Sequence, residues 1–375
     1  MNVNDVRNNF PYLKNGITYF NHASTGPIST LVLNRLTKLL KEKSENNIDD
    51  YPSFLKVVEE TKKLLADLIN CDADRTAFVD NTSNGLNILA QSIGWKKGDR
   101  ILLNDVEFPA NVYPFLNLKR LGVEVDFVKS ENGIVTADQI INSIKPETKM
   151  VSVSFVQFLS GYKINLEKIG NHCRANKIIF CVDGIQGIGT MKLDVKKCKI
   201  DFLSCGTQKW LLGMQGLAFI YVDEDLQKNM IPSNVGWLSV INAWQLLDYK
   251  LALKTSAGVF QGGTLNTFGI YAFNTSLTLF KEFGFDNIQS TVLSNTKYFI
   301  NKLKNIGLDC VLSNCSDEEL AGIVTIKPKN PEIIFEQLEK QKIICSIREG
   351  LIRFSPHFYN SYQEIDKVVE ELQKI

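Results

Sequence analysis

The sequence predicts an α/β protein, with a mostly parallel seven-stranded sheet in a large domain and a smaller C-terminal α+β domain. The chain has 375 residues, 44% of them hydrophobic, and chains beyond roughly 250–300 residues tend to split into domains. Its short apolar runs lack polar alternation, which is typical of strands buried on both faces of a sheet. Helix-like segments separate most of these runs, and this alternation favours parallel strands covered by helices.

The elements of the large domain follow from the spacing of apolar residues. Residues 52–70 carry apolar side chains at helical spacing and predict a helix. Seven apolar runs predict the strands of the sheet, at residues 76–79, 100–103, 123–128, 149–153, 178–182, 202–205 and 217–222. Helices are predicted between them at residues 111–121, 137–144 and 166–176.

The pattern changes near residues 262–263, where a smaller domain begins. A long helical stretch is predicted over residues 269–306, with a break at 283–284. Short strands and helices then alternate, the strands at residues 323–326, 343–347 and 351–354 and the helices at 331–341 and 362–374. We therefore predict three segments, an N-terminal arm over 1–20 that packs on the small domain, a large domain over 21–265 and a small domain over 266–375.

Composition excludes several classes of function. The formal net charge is +1 with acids and bases interleaved, so we expect no nucleic-acid or membrane partner. No run approaches the ~20 apolar residues of a membrane helix, and residues 1–15 lack the apolar core of a signal peptide. Eight cysteines without a C-x-x-C pair and only three histidines predict reduced thiols and no metal site. These features favour a cytoplasmic protein.

Two candidate functional residues follow consecutive predicted strands. Asp183 ends the apolar run 178–182, where an acid is either a helix N-cap or a functional carboxylate. Lys209 follows the next run beside Trp210, although an isolated lysine is usually solvated. Ligands of open α/β sheets bind outside the carboxyl ends of the strands. The sequence therefore predicts that both side chains reach one crevice.

A third candidate is a phosphate site at residues 81–86. Thr82, Ser83 and Gly85 open a predicted helix directly after a strand. The first turn of a helix exposes free N–H groups and the positive end of its dipole, which bind phosphate. A plain Ser/Thr/Asn cap is the alternative interpretation.

Seven segments in order resemble the PLP-dependent class V aminotransferases, the family of cysteine desulfurases, selenocysteine lyases, isopenicillin N epimerase and kynureninase. The segments are residues 19–27, 81–86, 107–114, 182–186, 206–210, 261–266 and 346–360. The Asp-Gly-x-Gln and Lys-Trp motifs, at 183–186 and 209–210, are the most specific. The resemblance implies PLP fold type I, pyridoxal 5′-phosphate as cofactor and a homodimer with shared active sites.

The resemblance also implies a role for each site residue. Lys209 would carry the cofactor as a Schiff base and then take the substrate's α-proton, and Asp183 would pair with the pyridine nitrogen. The other implied cofactor contacts are Gln186 at the phenolic oxygen, Phe108 stacked on the ring, Thr82, Ser83 and Thr207 at the phosphate, and Gly263 and Thr264 at the phosphate of the partner subunit. The implied substrate contacts are Arg353 on the carboxylate, with His22 and Ser24 at the entry. Outside the family context, Phe108 would be a core aromatic, Arg353 part of a salt bridge and His22 structural.

The implied activity is the conversion of a small amino acid through an external aldimine and an α-carbanion, by transamination, epimerisation or β-elimination. The alternative is a cysteine desulfurase or selenocysteine lyase, which needs a cysteine on a loop shortly before Arg353. Arg348-Glu-Gly350 runs almost directly into that segment and contains no cysteine. Gln208 and Phe158 also stand where the desulfurases carry histidine and asparagine, and Gln157 beside Phe158 is an alternative amide for the latter. These departures favour the epimerase-like branch of the family. A non-catalytic module with this fold is a third hypothesis, which the presence of Lys209 and Asp183 disfavours.

Overall fold

The computed structural model describes residues 2–374. Met1 and Ile375, the outer ends of the predicted arm and of the predicted small domain, therefore lie outside the described residues. The strands are β1 (Thr18–Tyr19), β2 (Thr76–Val79), β3 (Arg100–Asn104), β4 (Glu124–Val128), β5 (Thr148–Ser154), β6 (Ile179–Asp183), β7 (Phe202–Gly206), β8 (Ala218–Val222), β9 (Val324–Ile326), β10 (Ile343–Ile344), β11 (Ser346–Arg348) and β12 (Leu351–Phe354).

Helices surround these strands and make up much of the C-terminal part. They are α1 (Val3–Arg7), α2 (Thr30–Glu45), α3 (Tyr51–Ile69), α4 (Thr82–Ser92), α5 (Tyr113–Leu116), α6 (Ala137–Asn142), α7 (Leu166–Ala175), α8 (Glu224–Lys228), α9 (Thr267–Phe283), α10 (Phe285–Asn305), α11 (Pro331–Lys340) and α12 (Tyr362–Gln373). None of the helices within residues 2–374 is both long enough and apolar enough to cross a membrane.

The central sheet has seven strands in the order β2-β8-β7-β6-β5-β3-β4. Neighbouring strands from β7 to β4 run parallel, whereas β8 is antiparallel to both β2 and β7. The predicted α/β class with a mostly parallel seven-stranded sheet is therefore confirmed.

Both faces of this sheet are buried, which explains the unbroken apolar runs. Ile101 and Leu103 of β3 belong to one apolar cluster, and Leu102 between them belongs to the other. Successive side chains of a strand point to opposite faces, so each face supports its own core. Fully burying one such side chain contributes about 1.5–3 kcal/mol.

The predicted helices match the structure except around α5. The helix predicted over 111–121 is wrong, because the chain forms only α5 between two 3₁₀ turns, at residues 109–111 and 117–121. Pro114 lacks an N–H group and its ring clashes with the preceding turn of a helix, so a regular helix does not run through it from residue 111. The long helix α2 is absent from the predicted elements. Of its residues, only Val32 is buried.

The C-terminal part contains a second, three-stranded sheet in the order β11-β12-β9. Gly284, at φ 94°, separates α9 from α10 and confirms the predicted break. The strand predicted over 343–347 is two strands, because β10 pairs with β1 whereas β11 pairs with β12. The N-terminal segment thus contacts the C-terminal part, while the domain limits at residues 20/21 and 265/266 stay predictions.

Candidate active site

Asp183 and Lys209 lie at one edge of the central sheet. Asp183 is the last residue of β6 and pairs in register with Ser204 of the adjacent parallel strand β7. Lys209 follows the end of β7 by three residues. Asp183 is only 2% exposed, and its charge acts on Lys209. The carboxyl ends of neighbouring parallel strands meet at one edge, and the structure brings the predicted pair together there.

Burial shifts the ionisation of both groups. Desolvation is the largest effect on Lys209 and lowers its pKa; Asp183 opposes this shift and Arg353 adds to it. Desolvation also raises the pKa of Asp183, against an N–H from Ile185 that lies 2.9 Å from its carboxylate. Lys209 therefore loses its proton more readily than a surface lysine does. A neutral amine is what a nucleophile or a base requires.

The start of α4 forms a cradle beside this pair. The side chain of Asn81 caps the helix by accepting the N–H of Asn84 at 2.9 Å. Thr82 Oγ1 is buried and has no hydrogen-bond partner among the described residues. It faces Gly206 at the end of β7, where an added Cβ would come within 3.2 Å of it. An unpaired buried hydroxyl at the positive end of a helix fits an anion.

Close packing holds this helix against the sheet. A Cβ added to Gly85 would lie 2.2 Å from the hydroxyl oxygen of Ser204. That hydroxyl group donates to the carbonyl oxygen of Thr82 at 3.0 Å. Gly85 therefore permits the close approach that places Thr82 next to Ser204 of β7. Ser204 pairs in register with Asp183 of β6.

The other predicted phosphate contacts, Ser83 and Thr207, have different surroundings from Thr82. Ser83 lines a cavity of about 490 Å³ together with Phe108. Thr207 is buried, and its hydroxyl lies 3.0 Å from the carbonyl oxygens of Met214 and Leu217. In this structure the Thr207 hydroxyl thus bonds its own loop, and its phosphate contact stays a prediction.

Gln186 is oriented by a tryptophan. Trp210 donates its indole N–H to Gln186 Oε1 at 3.0 Å, and Gln186 Nε2 donates to the carbonyl oxygen of Ala23 at 3.0 Å. Because an indole nitrogen only donates, this bond fixes which end of the amide is the NH₂ group. One N–H of Gln186 remains for a ligand oxygen. Trp210 itself is fully buried.

Phe108 forms an open wall of the site. The residue is 43% exposed, and its ring centroid lies 5.6 Å from the Lys209 amine. Phe158 packs edge-on against it at 5.4 Å. A ring that is half open beside the lysine fits a stacking surface better than a core position. Gln157 does not face this site, because its amide bonds both backbone groups of Val135.

Arg353 is buried without a carboxylate. It is 2% exposed and donates to the carbonyl oxygen of Phe158 at 2.7 Å and to Ser24 Oγ at 3.0 Å. Its Nε has no partner, and no salt bridge involves it among residues 2–374. Burial lowers its pKa to about 10, and the charge of Arg348 adds to that shift. A buried guanidinium group without a counter-ion is unfavourable, so this one fits a ligand anion.

The two N-terminal candidates differ. The Ser24 hydroxyl accepts a hydrogen bond from Arg353 Nη2 at 3.0 Å, and its contact with the substrate stays a prediction. His22 is fully buried; its Nδ1 donates to the carbonyl oxygen of Ser355 at 2.9 Å and its Nε2 accepts from the Tyr359 hydroxyl at 2.6 Å. Because both ring nitrogens are engaged, this geometry favours a structural role for His22.

Gly263 and Thr264 lie on the loop before α9. They line a cavity of about 660 Å³ together with Asn84 and Asn87 of α4. Thr264 is exposed in the single chain. The contact of both residues with the phosphate of a partner subunit stays a prediction.

The family model of the class V aminotransferases matches residues 18–368 of the chain. The chain belongs to this family. A probable cysteine desulfurase of Methanothermobacter thermautotrophicus is 27% identical over 400 residues, covering all of this chain and 98% of the relative. The uncharacterized aminotransferase YcbU of Bacillus subtilis is also 27% identical and covers 86% of this chain and 85% of its own.

Solved structures share the fold of this class V aminotransferase. The cystine C-S lyase C-DES has a TM-score of 0.89 at 23% identity, covering 98% of this chain and 99% of its own. The cysteine desulfurase of Thermococcus onnurineus has a TM-score of 0.88 at 22% identity, covering 99% of this chain and 97% of its own. The chain therefore has PLP fold type I.

Pyridoxal 5′-phosphate is the cofactor of this family, and the residues of this class V aminotransferase fit it. The unpaired hydroxyl of Thr82 and the first turn of α4 suit the phosphate. The buried carboxylate of Asp183 suits a ring nitrogen, and Lys209 has the lowered pKa that condensation with a carbonyl requires.

Two nearby charged residues had no role in the sequence analysis. Glu107 is buried and accepts four hydrogen bonds, from Asn104, Asn111 and both the N–H and the hydroxyl of Ser154. Its charge raises the pKa of Asp183. Arg348 donates to the same hydroxyl oxygen as Arg353 does. Arg348 and Arg353 are close in the sequence, and this spacing indicates that both can contact the same group.

Proposed function

We propose that this class V aminotransferase binds an α-amino acid through its carboxylate on Arg353 and removes its α-proton with Lys209. The observation that carries the proposal is the buried guanidinium group of Arg353, which has no carboxylate partner within residues 2–374. Its charge contributes to the lowered pKa of Lys209. The anion-binding group and the base therefore serve the same pocket.

The residues around Lys209 divide the remaining tasks. When bound, pyridoxal 5′-phosphate supplies a carbonyl group that condenses with amines and a ring that withdraws electron density from the α-carbon. Asp183 would hold a proton at the ring nitrogen, and Gln186 would donate to the phenolic oxygen. Phe108 would cover one face of the ring. Thr82, Ser83 and Thr207 would hold the phosphate, and Ser24 would help to position the carboxylate.

We infer that the reaction is a transamination, an epimerisation or a β-elimination. The name "probable cysteine desulfurase" of several relatives favours sulfur transfer as a second candidate. Against it, β11 and β12 are joined by a two-residue turn, Glu349–Gly350, that carries no cysteine. Cys345 and Cys205 are buried, and burial raises the pKa of both thiols. A buried neutral thiol is a poor acceptor of sulfur.

A substrate panel tests this proposal. The holoenzyme is incubated in deuterium oxide with each of the twenty amino acids and D-alanine, and α-deuterium, keto acid and sulfide are measured. We expect α-deuterium in at least one amino acid, with keto acid or inversion of configuration. Alanine from cysteine, with sulfide released when dithiothreitol is added as the reductant, at a rate above all other reactions, would establish the desulfurase instead. No exchange with any amino acid would contradict both functions.

We also propose a cytoplasmic homodimer in which the loop with Gly263 and Thr264 completes the site of the partner. In the single chain, Ile231, Trp244 and Tyr249 are exposed, each by more than half, and exposed apolar patches mark interfaces. Co-expressed Lys209→Ala and Thr264→Trp chains test the shared sites. Recovery of activity in mixed dimers supports shared sites. Mixed dimers that are no more active than the two single variants contradict them. Fractionation of cells with an antibody against the chain tests the location.

A further inference from the structure

Two arginines lie on the same face of the β11–β12 hairpin. Arg353 pairs in register with Ser346, and Arg348 stands two residues after Ser346 on the same strand. Side chains two apart on a strand share a face, and diagonal pairs across a hairpin are within reach of long side chains. The two-residue turn thus places both guanidinium groups over one spot.

Both arginines converge on Ser24. Arg353 Nη2 and Arg348 Nη2 donate to its hydroxyl oxygen, at 3.0 and 3.2 Å. One neutral oxygen shared by two cations is a weak replacement for an anion. Within residues 2–374, neither arginine forms a salt bridge, whereas Arg7 and Arg100 both do.

The donors of Arg353 suffice for one carboxylate. Its Nη1 is engaged by the carbonyl oxygen of Phe158, its buried Nε has no partner, and its Nη2 keeps one hydrogen beyond the bond to Ser24. An arginine edge binds a carboxylate in a bidentate manner. Arg348 uses its Nη1 for the carbonyl oxygen of Ile347 and one Nη2 hydrogen for Ser24, so its Nε and the second Nη2 hydrogen remain for another acceptor.

We propose that Arg348 binds a second anionic group of the substrate, so that this enzyme prefers amino acids with an acidic side chain. The proposal rests on the proposed binding of the α-carboxylate by Arg353. Arg348 is exposed at the mouth of the site, where a side chain that extends away from Lys209 would reach it. A carboxylate or a phosphate ester has the required chemistry, since either accepts two hydrogen bonds from one guanidinium edge.

Paired substrates of matched size test the proposal. The rate of α-deuterium exchange by the holoenzyme is measured for aspartate and asparagine, glutamate and glutamine, and phosphoserine and serine. We expect the acidic member of at least one pair to have the higher kcat/KM, and the pair that responds identifies the anionic group. In Arg348→Met this preference should fall about tenfold, because a charge-assisted hydrogen bond at an exposed position is worth about one factor of ten.

Two controls separate a specific loss from a general one. Arg120→Met removes an exposed arginine that has no hydrogen bond or salt bridge among the described residues, and it should keep the preference. Binding of succinate and butyrate to the holoenzyme, measured by calorimetry, reports affinity without turnover. Arg348→Met should weaken succinate binding and leave butyrate binding unchanged.

Two results would overturn the proposal. One is equal kcat/KM for both members of every pair in the wild-type enzyme. The other is an equal loss for both members in Arg348→Met, which would assign Arg348 to the α-carboxylate. Failure of the proposed function looks different, because α-deuterium exchange would then be absent for every amino acid, acidic or neutral.

Discussion

Arg353 has an environment that a structural arginine rarely tolerates, because its buried guanidinium group faces no carboxylate within residues 2–374. We predict that Arg353→Met lowers kcat/KM for α-proton exchange by about 100-fold. Loss of one partner from a buried charged pair costs roughly 2–5 kcal/mol, and 1.4 kcal/mol is a factor of ten. Steady-state kinetics on the best substrate of the panel measure this.

The Arg353→Lys variant provides the matched control. Lysine keeps the charge but lacks the planar fork, so we expect it to recover only part of the activity. Full activity in Arg353→Met would show that the carboxylate binds elsewhere.

At the scale of single residues, the proximity of several candidate site residues could be predicted from the sequence. Asp183 and Lys209 could be paired because both follow consecutive strands, and the structure places those strands side by side. The contact of Trp210 with Gln186 could not be predicted, because it depends on the fold of the loop after β7. The contact of Arg348 with Ser24 follows from the alternation of side chains on a short hairpin. It could be predicted only once the two-residue turn was known.

At the scale of elements, the position of α4 decides where the phosphate cradle lies. We predict that Gly85→Ala weakens binding of pyridoxal 5′-phosphate and lowers the free energy of unfolding by about 1–3 kcal/mol. The new Cβ would lie 2.2 Å from Ser204 Oγ and push the helix from β7. Equilibrium dialysis and urea unfolding measure the two effects.

Gly94→Ala is the matched control for Gly85→Ala. A Cβ at Gly94 meets nothing within 4 Å, so this variant should bind the cofactor as the wild type does. Equal cofactor affinity in both variants would mean that the spacing of α4 and β7 does not matter for the cradle.

The elements that escaped prediction lack a local signal in the sequence. The strands of the central sheet are apolar because both faces are covered, and this is a local signal. The division of residues 343–347 into β10 and β11 depends on pairing with other strands. β10 pairs with β1, which is distant in sequence, and β11 pairs with β12, which follows a tight turn. The exposed helix α2 has little buried surface to mark its period.

At the scale of the whole molecule, buried histidines link the C-terminal part to the sheet. His357 donates from Nε2 to the carbonyl oxygen of Trp210 at 2.8 Å, and its Nδ1 accepts the N–H of Phe358. Burial lowers the pKa of His357 to about 4 from 6.5. The unfolded chain therefore binds a proton that the native chain does not, between these pH values.

This linkage predicts loss of stability in mild acid. The contribution of His357 is complete above pH 6.5 and falls as the pH decreases towards 4, by about 2 kcal/mol between pH 7 and pH 5. Urea unfolding of the apoprotein at both pH values measures it, against His357→Gln, which keeps a donor for Trp210. The variant should lose about 2 kcal/mol less than the wild type. Equal losses would show that His357 does not carry the effect.

Lys209 is the residue proposed to hold the cofactor. Lys62 is the sharpest competitor, because burial also lowers its pKa to about 8, although it lies on α3 away from Asp183. The direct measurement is reduction of the holoenzyme with borohydride, followed by mass spectrometry of its peptides. We expect the cofactor on the peptide that contains Lys209. Attachment at Lys62 or at any other lysine, or no covalent attachment, would contradict it.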